Sequence, residues 1–334
     1  MKRKLAFLLM LCFGWSFFLN GCGGTLPKTD DRLQVVCTIF PEYDWARQLT
    51  QGVDNVDLTL LVKNGTDLHS YQPSVRDIAM IARADVFCYV GGVSDTWVND
   101  VLDTTENRTA QLVSMAEAAD ADEEVLAEGM QAEHEHEHEH EHDHHDDESD
   151  SHEEPPELDE HVWLSLRRAA LACTAMKEAL CKADPAHEGI YNQNCTDYLQ
   201  KLQELDSDFT EMTSQAARDT IVVADRFPFR YLAEDYGLTY YAAFPGCSAE
   251  TETSFETIVF LSEKVESLHL PCVLVTEGSN SSLAKTILEN AGSDGKILTL
   301  QSLQAVSQKE IDTGVTYLSK MQENYDVLKQ ALNS

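Results

Sequence analysis

The chain has 334 residues, enough for two domains with separate cores, and carries 58 acidic against 24 basic side chains, a formal net charge of −34. So large a negative excess argues against nucleic acid and anionic surfaces as partners and favours cations.

The chain opens with basic MKRK, the apolar run LAFLLMLCFGWSFF and then LNGCGG. The run holds only 14 residues, short of the ~20 that span a bilayer as a helix, and the small Gly21 precedes Cys22. This is the pattern of a lipoprotein export signal. A signal peptide over residues 1–21 is expected, with Cys22 as the lipid-bearing mature N-terminus and residues 22–32 as a tether; plain secretion is the alternative. Removing Lys2, Arg3 and Lys4 leaves 21 basic residues against 58 acidic ones, a net charge of −37.

Apolar runs then alternate with helical periodicity. Strands are predicted at LQVVCTIF (33–40), VDLTLLV (56–62) and ADVFCYV (84–90), with helices near EYDWARQLTQ and PSVRDIAMIARA, the latter opened by a Ser74/Asp77 capping box. Strands apolar throughout and separated by helices imply a parallel sheet covered on both faces. From about residue 116 to 160 the periodicity gives way to acid, histidine and proline, the composition of a long disordered loop. Order resumes at HVWLSLRRAALACTAMKEAL, and IYNQNCTDYLQKLQELDSDFTEMTSQA keeps one helical apolar face for roughly 30 residues. Strands follow at TIVVA (220–224), LTYYAAF (238–244), PCVLVTE (271–277) and KILTL (296–300). The predicted fold is α/β, two lobes each with a mostly parallel sheet flanked by helices, at 33–183 and 218–334, joined by a rigid helix over 184–217.

Seven cysteines remain after Cys12 leaves with the signal and Cys22 takes the lipid: Cys37, Cys88, Cys173, Cys181, Cys195, Cys247 and Cys272. None forms a CxxC pair, and the odd count argues against a complete disulfide framework.

The loop contains EHEHEHEHEHDHHDDESDSH (133–152), whose eight histidines are His134, His136, His138, His140, His142, His144, His145 and His152. Each imidazole flanked by acid has extra oxygen ligands beside it, so the run suits several weakly held divalent ions. Its literal HExxH at His134–His138 carries no weight as a protease motif, because any HE repeat satisfies it and nothing apolar anchors a helix there.

Ligands of parallel α/β sheets bind beyond the carboxyl ends of the strands. That rule selects His69 after DLTLLV, Asp225 and Arg226 after TIVVA, Glu277 after PCVLV, and His161 where the loop returns to a helix. Two histidines and two carboxylates make an N/O set suited to zinc. Taken singly, each has a plainer reading as a surface residue or helix cap. His187 and His269 fail the rule and read as structural.

The segments TDLHSYQPSVRDIAMIARADVFCYVGG, DEHVWLS, FRYLAEDYGL and VLVTEGSNSSLAKTI resemble the successive motifs of the zinc and manganese receptors of bacterial ABC transporters, the zinc-uptake solute-binding lipoproteins. The resemblance spans essentially the mature chain. It implies two lobes bridged by one long helix, with a single metal between them, and matches His69 and His161 to the family's first and second ligands. The third falls at Arg226, which cannot ligate a cation, leaving the adjacent Asp225 as its substitute and Arg226 as a residue that pairs with and orients an acidic neighbour. Glu277 matches the carboxylate ligand of the manganese branch. The implied protein is a monomeric receptor, not an enzyme, lipid-anchored outside the cell membrane, that delivers Zn²⁺ to a membrane permease driven by a cytoplasmic ATPase. Manganese is the alternative cargo, and the readings from other classes are a surface zinc buffer or adhesin and an exported zinc hydrolase.

Overall fold

The computed structural model describes residues 32–63, 65–105, 109–130, 158–247 and 253–334. The expected export signal, Cys22 and the eight histidines of 134–152 lie outside these residues.

The first sheet comprises β1 (Leu33–Cys37), β2 (Val56–Leu60), β3 (Val86–Tyr89) and β4 (Gln111–Ser114), all parallel, in the order β2-β1-β3-β4. The second comprises β5 (Thr220–Phe227), β6 (Thr239–Pro245), β7 (Cys272–Thr276) and β8 (Lys296–Leu300), again parallel, in the equivalent order β6-β5-β7-β8. Side chains alternate between two cores across each sheet, as a period of two requires. Val35 and Cys37 join one core while Val36 and Phe87 join the other, and Ile221 and Val223 are separated in the same way from Val222 and Ala224. Burial on both faces explains why these strands read as unbroken apolar runs.

The helix Glu188–Ser214 joins the halves; its 27 residues make a rod of ~40 Å at 1.5 Å per residue. Its buried stripe of Tyr191, Cys195, Tyr198, Leu202, Leu205, Phe209 and Met212 anchors it in the core shared by both sheets. The C-terminal helix Tyr317–Asn333 returns to the first lobe, where the Tyr317 amide donates to Asp44 Oδ2 at 2.7 Å. The Ser74/Asp77 capping box is formed.

Two sequence expectations need correction. β4 was not predicted, because QLVS is too short to show a period. Residues 116–130 and 158–160 are also not free loop: Ser114 caps a short helix Met115–Ala118, Ala116 and Ala119 are buried, and Glu123 bridges Leu158. Tyr231, from the other lobe, fastens both ends of the stretch, its hydroxyl accepting from the Asp122 amide at 2.9 Å and donating to the Asp159 carbonyl at 2.7 Å. Composition registers the acidity of this segment but not a tyrosine a hundred residues away.

A buried acid pair lies beneath the first sheet's carboxyl end. The Glu42 carboxylate accepts from the Thr38 and Ile39 amides at 2.7 and 3.3 Å. Burial first, and then the charge of Asp95, push its pKa up to about 8. Burial chiefly raises Asp95 to about 7. Both folded-state values exceed the unfolded ones near 4, so the folded chain holds protons that the unfolded chain gives up, and stability falls as pH rises between those limits. Metal-free protein is expected to lose on the order of a few kcal/mol between pH 5 and 8. In Glu42→Gln a substantial part of that slope should vanish. Denaturation in chelator across this range is the check, and an unaltered slope in the variant would refute the assignment.

Candidate metal centre

The carboxyl ends of the two sheets supply the walls of the site. Beyond β2 the chain makes a tight turn at Leu68–Ser70, capped by Asp67, whose Oδ1 accepts from the His69 amide at 3.0 Å. Beyond β3, Gly91 and Gly92 lead to Ser94 and Asp95. A Cβ on Gly92 would overlap the Glu160 side chain, so only glycine lets this loop approach so closely.

His161 is fully buried and begins the turn Val162–Leu164. One Asp159 oxygen holds it twice, at 3.1 Å from its amide and 2.9 Å from its ring Nδ1. The turn is pinned to the second lobe by Trp163, whose indole N–H donates to the Ser302 carbonyl at 2.9 Å and whose own carbonyl accepts from the Tyr317 hydroxyl at 2.6 Å.

The His69 and His161 rings lie 5.5 Å apart between centroids. Ser94 Oγ stands 2.7 Å from His69 Nδ1 and donates to Glu160 Oε1, while the Ser94 amide donates to Glu160 Oε2 at 3.0 Å. Each imidazole therefore has its Nδ1 engaged by an acid or an acid-linked hydroxyl, which selects the tautomer that leaves Nε2 open to a cation. His161 Nε2 is buried with no hydrogen-bond partner, a rare state for a buried polar atom unless something else is meant to meet it. Ligand atoms of His69, Glu160 and His161 all fall within 4.8 Å of one another.

Electrostatics shift the two histidines in opposite directions. Burial first, then the neighbouring His161 and Arg226, push His69 down to about 3, outweighing Asp67. His69 is thus neutral and ready to ligate at any ordinary pH. For His161, burial lowers the pKa, but the hydrogen bond and charge of Asp159, reinforced by Glu160, leave it raised. Burial raises Glu160 against the opposing pull of His161 and Ser94.

The other expected residues are held by hydrogen bonds of their own. Asp225 is inside β5; its Oδ2 accepts from the Thr276 hydroxyl and amide at 2.7 and 3.3 Å, and its Oδ1 from the Arg226 amide at 2.9 Å. Glu277 accepts from the Ser302 amide and hydroxyl at 2.6 and 2.7 Å. Neither joins the converging group found among the described residues. Arg226 reaches across to Asp67, Nη2 to Oδ2 2.8 Å, and so grips the turn that carries His69. Burial would raise Asp67, but its hydrogen bond and ion pair with Arg226 outweigh that and lower its pKa. His187 pairs with Asp184 at 2.6 Å, away from this group. The sequence search passed over Glu160, counting it only as part of the acidic excess; the usable signal was a carboxylate immediately before a candidate histidine.

Two α/β lobes with matched parallel sheets, a long connecting helix and polar side chains gathered at the sheets' carboxyl ends define a two-lobed solute-binding protein. The chain belongs to the ZnuA family, described as zinc-uptake complex component A, periplasmic, whose pattern matches residues 35–331. It is 31% identical over 330 residues to zinc-binding lipoprotein AdcA of Streptococcus pneumoniae, an alignment covering 99% of this chain and 61% of AdcA. It thus spans about three fifths of that relative's length. With the high-affinity zinc uptake system protein ZnuA of Bacillus subtilis it shares 30% identity over 331 residues, 98% of this chain and 96% of that protein. Among solved structures, the Zn(II)-bound ZnuA-like domain of S. pneumoniae AdcA superposes with TM-score 0.68 at 28% identity, covering 91% of this chain and all of that one. The metal-dependent lipoprotein YcdH of B. subtilis gives TM-score 0.71 at 26% identity, covering 90% of this chain and 100% of that one.

Proposed function

We propose that this protein is an extracytoplasmic receptor that takes up one Zn²⁺ between its lobes and passes it to an ABC permease for import. The observation that carries this reading is the pair of buried imidazoles, His69 and His161, each with Nδ1 engaged and with Glu160 beside them, in a chain similar over nearly its whole length to a zinc uptake protein. Nitrogen ligands favour zinc over manganese, which prefers oxygen-rich sites. Release to a permease needs no catalysis, and the reading assigns none. Arg226 contributes by fixing Asp67 and, through it, the His69 turn. Lipid attachment at Cys22 would hold a monomer at the outer face of the membrane, beside the permease.

The histidine run serves as an auxiliary store, raising the local zinc concentration near the tight site. Competition against a chelator on the full chain should give one tight class of zinc site and several weaker ones, with manganese held less tightly. Deleting residues 133–152 should remove only the weaker class, since the run has no apolar side chain to dock on either lobe. Loss of the tight class with the run, or tighter binding of manganese, would overturn the reading.

A further inference from the structure

A cation outside the protein cannot touch His161 as the structure stands, because the ring and its unpartnered Nε2 are fully buried. The turn after β6 lies across that ring: a Cβ on Gly246 would stand 2.9 Å from His161 Cε1 and 3.0 Å from Nδ1, so only glycine allows the approach. Residues 122–130 leave the first lobe and run along the second beside this turn. They form no helix and, apart from the Glu123–Leu158 bridge, no strand, and none of them is buried. Single contacts hold them instead. The Asp122 amide donates to the Tyr231 hydroxyl, and the Glu123 carbonyl accepts from Arg230 Nη1. Glu124 Oε1 accepts from the Cys247 amide at 3.3 Å, which ties the segment to the turn over His161. At the far end the Gly129 backbone lies against the Phe260 ring so closely that a Cβ would overlap it. Beside it Glu128 pairs with Lys264 at 3.5 Å, and that ammonium sits 4.3 Å from the Tyr241 ring centroid and 4.8 Å from that of Phe260.

Resting on the receptor reading above, we propose that residues 122–130 are a clasp between the lobes, whose release from the second lobe lets zinc reach and leave His161. Some element over the ring must move, and the elements that move are those with few buried apolar contacts. On its other side His161 leads into Val162, Trp163 and Leu164, all fully buried in the main core, and moving them would disrupt that core. The clasp has no such anchor. Its Val125 and Leu126 are about half exposed, and its ion pair with Lys264 lies at the surface, where such pairs contribute little. Releasing it takes Glu124 away from the Cys247 amide and frees the turn that carries Gly246. Zinc enters and leaves through the same released state, so loosening the clasp speeds both steps by a similar factor and leaves affinity nearly unchanged. The clasp therefore sets how long zinc is held, while the histidines set how tightly.

The test follows zinc release from the full chain, loaded with one equivalent of Zn²⁺ and mixed with excess chelator, in which the slow phase reports the tight site. Gly129→Ala drives a Cβ into the Phe260 ring and puts a side chain at φ +88°. It should speed the slow phase roughly tenfold, the scale of the penalty for a left-handed residue. Zinc uptake should quicken by a similar factor, with equilibrium affinity changed far less than either rate. Amide exchange across 122–130, read by peptide mass, should rise in the same variant. Lys264→Glu, which sets two acids against each other, should act in the same direction, and adding Glu128→Lys to it should restore slow release. Unchanged exchange across 122–130 in Gly129→Ala, unchanged release where exchange has risen, a loss of affinity that matches the gain in release rate, or a charge swap that restores nothing would each overturn the clasp and leave the receptor reading standing. Absence of any slow phase in the unsubstituted chain would instead remove the receptor reading.

Discussion

Replacing His161 by alanine is expected to lower zinc affinity at the tight site by roughly a hundredfold or more, since losing even an outer partner of a metal ligand costs about 10–100-fold. His161 is the buried imidazole whose Nε2 has no other partner. Its Nδ1 is already committed to Asp159 at 2.9 Å, which leaves ligation as the one remaining role for that ring nitrogen. His69→Ala should cost a comparable factor, because the Asp67 cap and Ser94 orient that ring toward the same point. The measurement is competition titration against a chelator, with circular dichroism of the metal-free variants to show that the fold persists. His161→Gln, which keeps a polar group of similar reach beside Asp159, separates loss of the ligand from loss of packing. Zinc affinity unchanged in both alanine variants would sink the site.

Zinc binding should also weaken in acid, and the two histidines should not contribute equally. His69 is held neutral down to about pH 3, chiefly by burial, so protons do not compete with metal there over the ordinary range. For His161 the Asp159 contact overcomes burial and raises the pKa above its ordinary value. The protonated ring must shed its proton before it can ligate, so affinity is full above the His161 pKa and falls below it. The expected contribution is about one decade of affinity per pH unit, beginning above pH 6.5 rather than below it. Titrations from pH 8 to 5 would reveal the break. Asp159→Asn, which removes the raising charge, should move it to lower pH. A profile without a break across that interval would mean that His161 does not ligate.

The sequence by itself determined the architecture and pointed to part of the candidate site. Apolar runs alternating with amphipathic stretches are a local signal, imposed by burial of each strand on both faces, and they located seven of the eight strands among the described residues and the long connecting helix. The strand-end rule likewise pointed to His69, because a residue just beyond a strand is near it in sequence as well as in space, whereas His161 stood out only as a histidine where the loop returns to a helix. What only the tertiary structure decided is which side chains converge. Asp225 and Glu277 satisfy the same rule, and Thr276 and Ser302, brought to them by neighbouring strands and the segment after β8, hydrogen-bond their carboxylates, but neither joins the converging group found among the described residues. Glu160 looked like one more acid in an acidic run, and becomes a member of the site because Ser94, 66 residues earlier, fixes its carboxylate beside His69. Residue type and spacing specify what a side chain can bind, but hydrogen bonds and packing between distant segments determine which side chains are brought together.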